Sequence, residues 1–573
     1  MMVMGSGCGA FPEARRQDFK LPHWLHALVG CLLILLAWQG ALKSQTVYEP
    51  LHREVYDYLS RLSQRGVIEY DDLIKPLPRA YIAEKLREAA AQPQLLTALE
   101  QQELRYFQQD FYREDARARG DASGEMQKLH YLGKDSGGRY RLLSYTGPLL
   151  DLNLSPIYGI EAGDNDGKSQ THRWNGLYLY GRLGEHIGFS LDFRDNREEG
   201  GNIDVDKAFT PVTGVDAFYF PESNAIEYSE VHTTLAYDWS WGSVTLGKDF
   251  LTWGHERNGQ LVLSRKAPSF PFVRLDVRPT DWLRFNYFHG WLVSNVADSA
   301  EVYPTLLERQ NSFKFREKYL ASHTLTATPL RGLDIALGES MVYSDRLEIA
   351  YLMPLMFFRL ADHYLSRRKN AAGSNAQLFF ALSSRNHIKN THLYTTLFID
   401  DLSVANVFNE ETQINHVGVT FGASLTSLPL ANLTLTAEYT RINPFVYKHF
   451  IPTELYTSSS YLLGHWMGHN ADTFYGKLNY RLRRGLQLSL WGQKLRKGED
   501  GEVRDQYTFP HKPFLFGLNR RDSYWGGEVS YEITHEFALG ARYLQEEIAQ
   551  ELAEGDTAKH TRQAFYFSIY YGR

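Results

Sequence analysis

The stretch 247–278, GKDFLTWGHERNGQLVLSRKAPSFPFVRLDVR, concentrates side chains suited to chemistry. Lys248, Asp249, Trp253, Glu256 and Arg257 fall within ten consecutive positions. An indole face stacks on the apolar side of a pyranose, while carboxylate and guanidinium groups hold hydroxyls and acidic substituents, so this set has the makings of a saccharide site. The same residues suit lumenal ion pairing at a strained turn, the favoured reading, because water-facing barrel walls commonly carry such charges. A second set, Glu438, Tyr439, Arg441, Asn443 and Tyr447, lies where Pro444 breaks a strand, with Glu438 and Arg441 placed to meet a ligand or a helical plug, or Glu438 to pair with a basic residue of a neighbouring strand. In a third, His465 and His469 stand four apart, a spacing that on a helix could hold zinc, but the H-E-x-x-H glutamate is missing. Tyr461 and Trp466 flank that pair, and a loop with exposed aromatics fits saccharide contact better than metal. The candidate ligand-binding residues are therefore Lys248, Asp249, Trp253, Glu256, Arg257, Glu438, Arg441, Tyr447, Tyr461 and Trp466.

Asp400, Asp401, Asn409, Glu410 and Glu411 offer hard oxygens for Ca²⁺, yet no EF-hand spacing is present and a solvated acidic loop accounts for them. There is no G-x-S-x-G elbow and no phosphate-binding glycine loop. Two acids about 5–9 Å apart could come from any pair of strands, but nothing selects a glycosidase pair. No catalytic residue, cofactor or metal is expected.

These residues must be positioned by strands. In Val273, Leu275 and Val277 against Arg274, Asp276 and Arg278, the two faces of one segment address two different surroundings. The same period of two recurs in LLDLNLSP, GLYLYGRL and IGFSLDFRDN, and then in pairs down the chain: Tyr228–Asp238 with Ser243–Phe250, Val273–Arg278 with Trp282–Leu292, Tyr319–Thr328 with Leu333–Tyr343. Further pairs are Gln377–Ser383 with His392–Phe398, Val417–Thr426 with Leu433–Arg441, Phe474–Arg481 with Leu486–Lys494, and Trp525–Ile533 with Phe537–Tyr543, before a last strand Phe565–Tyr571. With uncertain pieces near Leu150 and Leu347 the count is about eighteen or nineteen, and an even number closes a bacterial barrel, so eighteen strands are expected. Short joins such as Arg331–Gly332 and Arg483–Gly485 alternate with long ones, including 196–227, 295–317, 447–472 and 546–561. Short turns belong to the periplasmic side and long loops to the outside. A soluble sandwich would need a second core on the face that here carries Arg, Asp, Glu and His.

Ahead of the strands the period is helical. Leu51, Val55, Leu59 and Leu62 mark one helix ending near Gly66, Pro78 opens a second with Ile82, Ala83 and Leu86, and a third follows Pro93. About seventy residues of short amphipathic helix are marginal alone, so a bundle docked on a larger body is expected. Polar, glycine-containing sequence from Glu114 to Arg139 reads as a linker.

Arg15, Arg16 and Lys20 precede a short apolar run, Ala27–Trp38, followed by small residues, the layout of a cleaved export signal ending between Gly40 and Gln45. Cys31 lies within that run rather than at its end, which disfavours lipidation. Both cysteines, Cys8 and Cys31, leave with the signal, so disulfides and Cys-ligated metals are excluded from the mature chain. Removing residues 1–44 leaves 57 basic and 65 acidic residues, a balance unlike that of a nucleic-acid binder. Tyr, Phe and Trp make up 14% of the chain, as aromatic girdles at two lipid interfaces or a carbohydrate surface require.

Several stretches, in order, resemble the capsule assembly Wzi family of outer-membrane proteins, particularly its branch common in Bacteroidetes: LSQRGVIEYDDLIKPLPRAYIAEKL, GKDFLTWGHERNGQLVLSRKAPSFP, ESMVYSDRLEIAYLMPLMFF, LFIDDLSV, AEYTRINPFVYKHF and LGHWMGHNADTF. The resemblance covers most of the mature chain. It implies a mainly β fold: an 18-stranded transmembrane antiparallel β-barrel closed by an N-terminal helical bundle, with a lectin-like role in holding capsular or extracellular polysaccharide. The expected layout is a signal over 1–45, a periplasmic helical plug over 46–125 and an outer-membrane barrel over 140–573. Expected partners are that polysaccharide, outer-membrane lipid and lipopolysaccharide, and the barrel-assembly machinery, whose signal is altered here because Gly572 and Arg573 follow the terminal aromatic Tyr571. The rival reading is a channel for charged oligosaccharides. A weaker one has the RGVIEYDDLIKPLPR run gripping peptidoglycan.

Overall fold

The computed structural model describes residues 47–120, 127–306, 311–369, 374–402, 415–551 and 557–572. The predicted signal, both cysteines, and Asn409, Glu410 and Glu411 lie outside the described residues.

Eighteen antiparallel strands close a barrel. They are β1 (Leu150–Asn165), β2 (Lys168–Leu183), β3 (Ile187–Gly200), β4 (Ala225–Trp239), β5 (Gly242–Asp249), β6 (Phe270–Thr280), β7 (Leu283–Pro304), β8 (Asn311–Leu330) and β9 (Leu333–Ser344). The circuit continues through β10 (Asn375–Arg385), β11 (Thr391–Leu402), β12 (Asn415–Thr426), β13 (Leu433–Ile442), β14 (Ala471–Arg483), β15 (Leu486–Lys497), β16 (Arg520–Thr534), β17 (Phe537–Glu551) and β18 (Thr557–Tyr571). Closure is made by β18 on β1, with Ala564 opposite Asn165 and Tyr571 opposite Tyr158. Outward positions such as Leu177, Leu246, Leu337, Phe421, Leu490 and Phe567 are exposed apolar side chains. Inward neighbours such as Asp192, Thr245, Arg274, Thr324 and Glu438 are buried and polar. The alternation read in Val273–Arg278 has this cause: Arg274 points inward, donating to Asp276 Oδ1 at 3.0 Å and to the Pro76 carbonyl at 3.2 Å.

Every strand of the predicted pairs is present, but several run further than their alternation. The predicted long join 295–317 is mostly strand, because β7 and β8 continue as a hairpin in which Val302 faces Phe313. Beyond the membrane both faces meet water, so the period-two pattern that announces a strand disappears there. No strand lies at Leu347; the chain turns, makes a 3₁₀ turn at Ile349–Leu352 and enters a helix, Phe358–Lys369. The predicted linker also has structure: a short helix at Tyr112–Ala118 and a hairpin of Lys128–Lys134 with Tyr140–Thr146, the latter pairing with the start of β1.

The N-terminal segment forms α1 (Val55–Gln64), α2 (Arg79–Ala90), α3 (Ala98–Asp110) and α4 (Tyr112–Ala118); Phe358–Lys369 is α5. Val55, Leu59 and Leu62 pack with Ile82, Leu86, Leu104 and Phe111 in a core of their own. The third helix begins later than Pro93 because Thr97 and Glu100 form a capping box, with Thr97 Oγ1 accepting from Glu100 N at 3.2 Å and Glu100 Oε2 accepting from Thr97 N at 2.7 Å.

The bundle sits at the short-turn end of the barrel, held by ion pairs to turns and strand ends. Arg53 Nη2 donates to Glu536 at 2.8 Å, Arg284 Nε lies 2.6 Å from Asp71, Arg481 Nε lies 3.4 Å from Glu103, and Arg385 pairs with Asp72. Within the bundle, buried Arg79 donates to Glu49 at 2.5 Å and Glu114 at 2.7 Å, with its guanidinium 4.7 Å from the Tyr180 ring of β2.

Candidate functional site

The join between β5 and β6 leaves the long-loop end and folds down into the lumen. Its residues Thr252–Trp253 pair with Ile74–Lys75 of the helical segment, so the infolded loop and that segment meet inside the barrel. Trp253 Nε1 donates to Thr324 Oγ1 of β8 at 3.0 Å, and its ring packs edge-on against Phe379 of β10 at 4.8 Å. Two glycines make the path possible: Gly254 at φ +130° and Gly259 at φ +137°, conformations that side chains resist. At Gly259 an added Cβ would come within 2.9 Å of Trp466 and 3.0 Å of His465.

The predicted residues divide between two places. Six of them converge on the infolded loop. Glu438 of β13 accepts from the backbone N–H groups of Arg257 at 2.6 Å and Asn258 at 3.0 Å. Trp466 Nε1 donates to the Asn258 carbonyl at 2.7 Å, and Tyr447 OH donates to the Leu261 carbonyl at 2.7 Å. Arg257 reaches the bundle, donating to Asp57 at 2.8 Å. Glu256 is buried and makes no ion pair among the described residues; burial, with the Glu438 carboxylate nearby, pushes it up to about 7. Trp253, Tyr447, Trp466, Leu261 and Leu463 belong to one apolar cluster that also takes in Phe272, Leu320, Val342 and Phe398 from the wall. A second loop, between β13 and β14, contributes half of that filling. Five of these six thus pack the lumen, enclosed by protein, while the Arg257 side chain stays exposed beside Asp57.

The remaining four lie toward the long-loop rim. Lys248, at the end of β5, donates to the Val231 carbonyl at 3.1 Å and to Ser269 Oγ at 2.8 Å. Asp249 accepts from the Phe250 backbone at 2.7 Å. Tyr461 OH donates to the Asp206 carbonyl at 2.8 Å, tying the β3–β4 loop to the β13–β14 loop. Beside it Lys266 donates to the Val212 carbonyl at 2.9 Å, and burial brings its ammonium down to about 8.

Arg441 lines a cavity at the rim. The cavity, about 140 Å³, lies at the long-loop rim between the ends of β12 and β13 and the loop joining β15 to β16. Arg441 Nε donates to Asn443 at 3.1 Å, and its guanidinium lies 3.8 Å from the centre of the Phe514 ring. Lys512, His511 and His416 share the lining with Asp505. Phe516 stacks on Phe445 at 5.7 Å and lies 5.6 Å from Lys512 Nζ. Aromatic faces and cations thus alternate around an open groove, an arrangement able to stack pyranose rings and pair with carboxylates. Lys512, Phe514 and Phe516 escaped the sequence reading; the signal was the interleaving of basic and aromatic residues in FPHKPFLF, residues 509–516.

A larger cavity of about 220 Å³ opens at the short-turn end beside Glu69, Asp71, Arg284 and Arg331. Its cations are already engaged: Arg284 with Asp71, and Arg331 with Glu69 at 3.4 Å. Nor do the metal readings gather ligands. Asp400 accepts the Tyr447 N–H at 2.6 Å, and His469 Nδ1 accepts from Phe445 N at 3.0 Å. Among the described residues no group of three His, Cys, Asp or Glu is placed to hold a metal.

Among solved structures, Escherichia coli Wzi, described as an outer-membrane protein involved in group 1 capsule assembly and a carbohydrate-binding β-barrel, aligns at TM-score 0.54 and 12% identity over 92% of this chain and 100% of its own. Pseudomonas aeruginosa OprD aligns at TM-score 0.40 and 10% identity over 73% of this chain and 94% of its own. Pseudomonas aeruginosa OccK5 aligns at 0.39 and 12% over 73% and 98%. No curated protein matches the sequence. The family model for capsule assembly protein Wzi matches residues 231–562, more than half of the chain and the part that builds both the lumen filling and the rim groove. The chain belongs to the capsule assembly protein Wzi family.

Proposed function

We propose that this protein is an outer-membrane barrel that holds capsular or extracellular polysaccharide at the cell surface through its long-loop rim, as a binder and not as a conduit or an enzyme. The observation that carries the reading is a lumen filled from both ends, by the helical bundle and by two infolded loops, while a basic and aromatic groove stays open on the outer rim. Family membership and the carbohydrate binding ascribed to Escherichia coli Wzi support it. Arg441 is the predicted residue we assign to the ligand, with Phe514 and Lys512 beside it; the six lumen residues hold the loops that shape the rim. Each contact is weak, and a long polymer gains retention by engaging many copies at once. The exposed apolar belt supports contact with lipid and lipopolysaccharide.

The test is to delete the gene, restore either the natural chain or an R441A/F514A double variant, and stain cell-bound against shed polysaccharide. Retention should fall on deletion and be only partly restored by the variant at equal surface amounts. Retention unchanged by deletion would overturn the role; full rescue by the variant would move the site elsewhere on the rim.

A further inference from the structure

On β9 the outward side chains Leu333, Ile335 and Leu337 continue the apolar belt, and the next outward position is Glu339. Its neighbours on the same face are His323 of β8, whose Nε2 lies 3.5 Å from Glu339 Oε2, and His289 of β7, whose Nε2 lies 2.7 Å from Tyr343 OH. Glu339 stands six residues from the short-turn end; at about 3.3 Å per residue and a strand tilt near 40°, that is roughly 15 Å up a belt about 25 Å tall. A carboxylate and two imidazoles facing hydrocarbon at that depth are costly unless covered.

They are covered by the chain that follows β9. Instead of turning directly into β10, it folds back over the outside of the barrel. Tyr351, Phe358 and Leu365 are buried against Tyr287, Tyr319, Met341 and Tyr343 of the outer wall. The Phe358 ring lies 4.5 Å from His323, and Tyr287 OH donates to the Tyr351 carbonyl at 2.9 Å. At the start of α5 the N–H groups of Phe358 and Arg359 donate to the two oxygens of Glu339 at 2.9 and 2.6 Å, so a wall carboxylate satisfies a helix N-terminus that hydrocarbon could not. The opposite side of the same segment presents Ile349, Leu355, Phe357 and Leu360, each about two thirds exposed or more, with Arg359 and His363 also exposed along the helix.

We propose that residues 349–365 form a clasp embedded in the bilayer beside the barrel, its outer side in contact with lipid acyl chains. Resting on the outer-membrane reading above, the occupant follows from depth and from continuity: the clasp packs against Phe285, which faces Leu325 and through it Leu337, both exposed belt positions, and it replaces the belt where the wall turns polar. One flank of the barrel thereby touches lipid through a helix and a turn instead of through strands.

Residues 47–573 contain no cysteine, so single-cysteine spin labels report cleanly. Labels at L360C, L337C and L306C, in the full mature chain reconstituted in phosphatidylcholine vesicles, would be compared for collision with oxygen and with a nickel chelate. Leu337 is a belt position and Leu306 a fully exposed hairpin residue. L360C should match L337C, with oxygen access several-fold above nickel access. A nickel-accessible L360C overturns the clasp, an L360C shielded from both reagents indicates a protein occupant and overturns lipid contact, and a nickel-accessible L337C overturns the membrane reading itself. In the E339Q background, where the cap is weakened, the L360C label should gain mobility while L337C does not; equal mobility would remove the cap from the argument.

Discussion

Arg441 and Glu256 behave in opposite ways because one faces water and the other does not. Arg441 keeps its guanidinium on the Phe514 ring at the rim, where R441K retains charge but loses the planar stack and the fork. We expect R441K to weaken binding of an acidic capsular oligosaccharide by about 1 kcal/mol and R441A by about 2 kcal/mol, measured by calorimetry on detergent-solubilised protein. Glu256 is enclosed, and its carboxyl is raised from 4.5 to about 7 by burial. Between those values the folded chain binds more protons than the unfolded one, so stability present at pH 4 is lost as pH rises through 7. E256Q should therefore flatten the pH dependence of urea midpoints and exceed the natural chain by about 3 kcal/mol at pH 8, with no advantage at pH 4. A natural chain with a flat profile across this range would contradict the burial argument.

At the scale of elements, the helical bundle and the infolded loop stabilise each other's position through the Ile74–Lys75 and Thr252–Trp253 pairing. Arg79 anchors the bundle's side of that arrangement with three acceptors and two ring faces, all in a nearly dry setting. R79A leaves Glu49 and Glu114 without their common cation, a loss of about 3–5 kcal/mol for a broken buried pair. The expected result is rapid tryptic release of residues 47–118 with a barrel still shifted by heating on a denaturing gel. The helices were legible because their apolar residues recur at three and four. The capping box at Thr97 was missed, although Glu100 three residues on was its sign, because Pro93 gave a stronger start signal. The linker over 114–139 was misread because glycine and charge there serve a hairpin lying against β1, where partners on other strands supply the order.

For the molecule as a whole, a barrel of eighteen strands is wide enough to conduct, and whether it does depends on what fills it. Here the helical segment and an infolded loop meet inside the barrel, so the full chain should give no conductance steps in planar bilayers, whereas steps of open-porin size would restore the channel reading. Strand number and order were legible because each strand separates lipid from a polar interior, and the outer hairpin of β7 and β8 was not, because water on both sides leaves no alternation to read.

The sequence by itself determined the strand alternation, the helical start and the family, since each depends on neighbours near in the chain or on a pattern repeated along it. The fate of the candidate residues was decided only in three dimensions. Trp253, Glu256, Arg257, Glu438, Tyr447 and Trp466 have the composition of a sugar site, yet glycine turns carry their loop inward, where the same indole and carboxylate groups find partners from strands and a second loop some seventy to two hundred residues away. Arg441 and FPHKPFLF, separated by about seventy residues, become one groove because barrel closure brings adjacent rims together. Side-chain type sets what a residue can do; only the tertiary path sets whether water, lipid or protein is there to receive it.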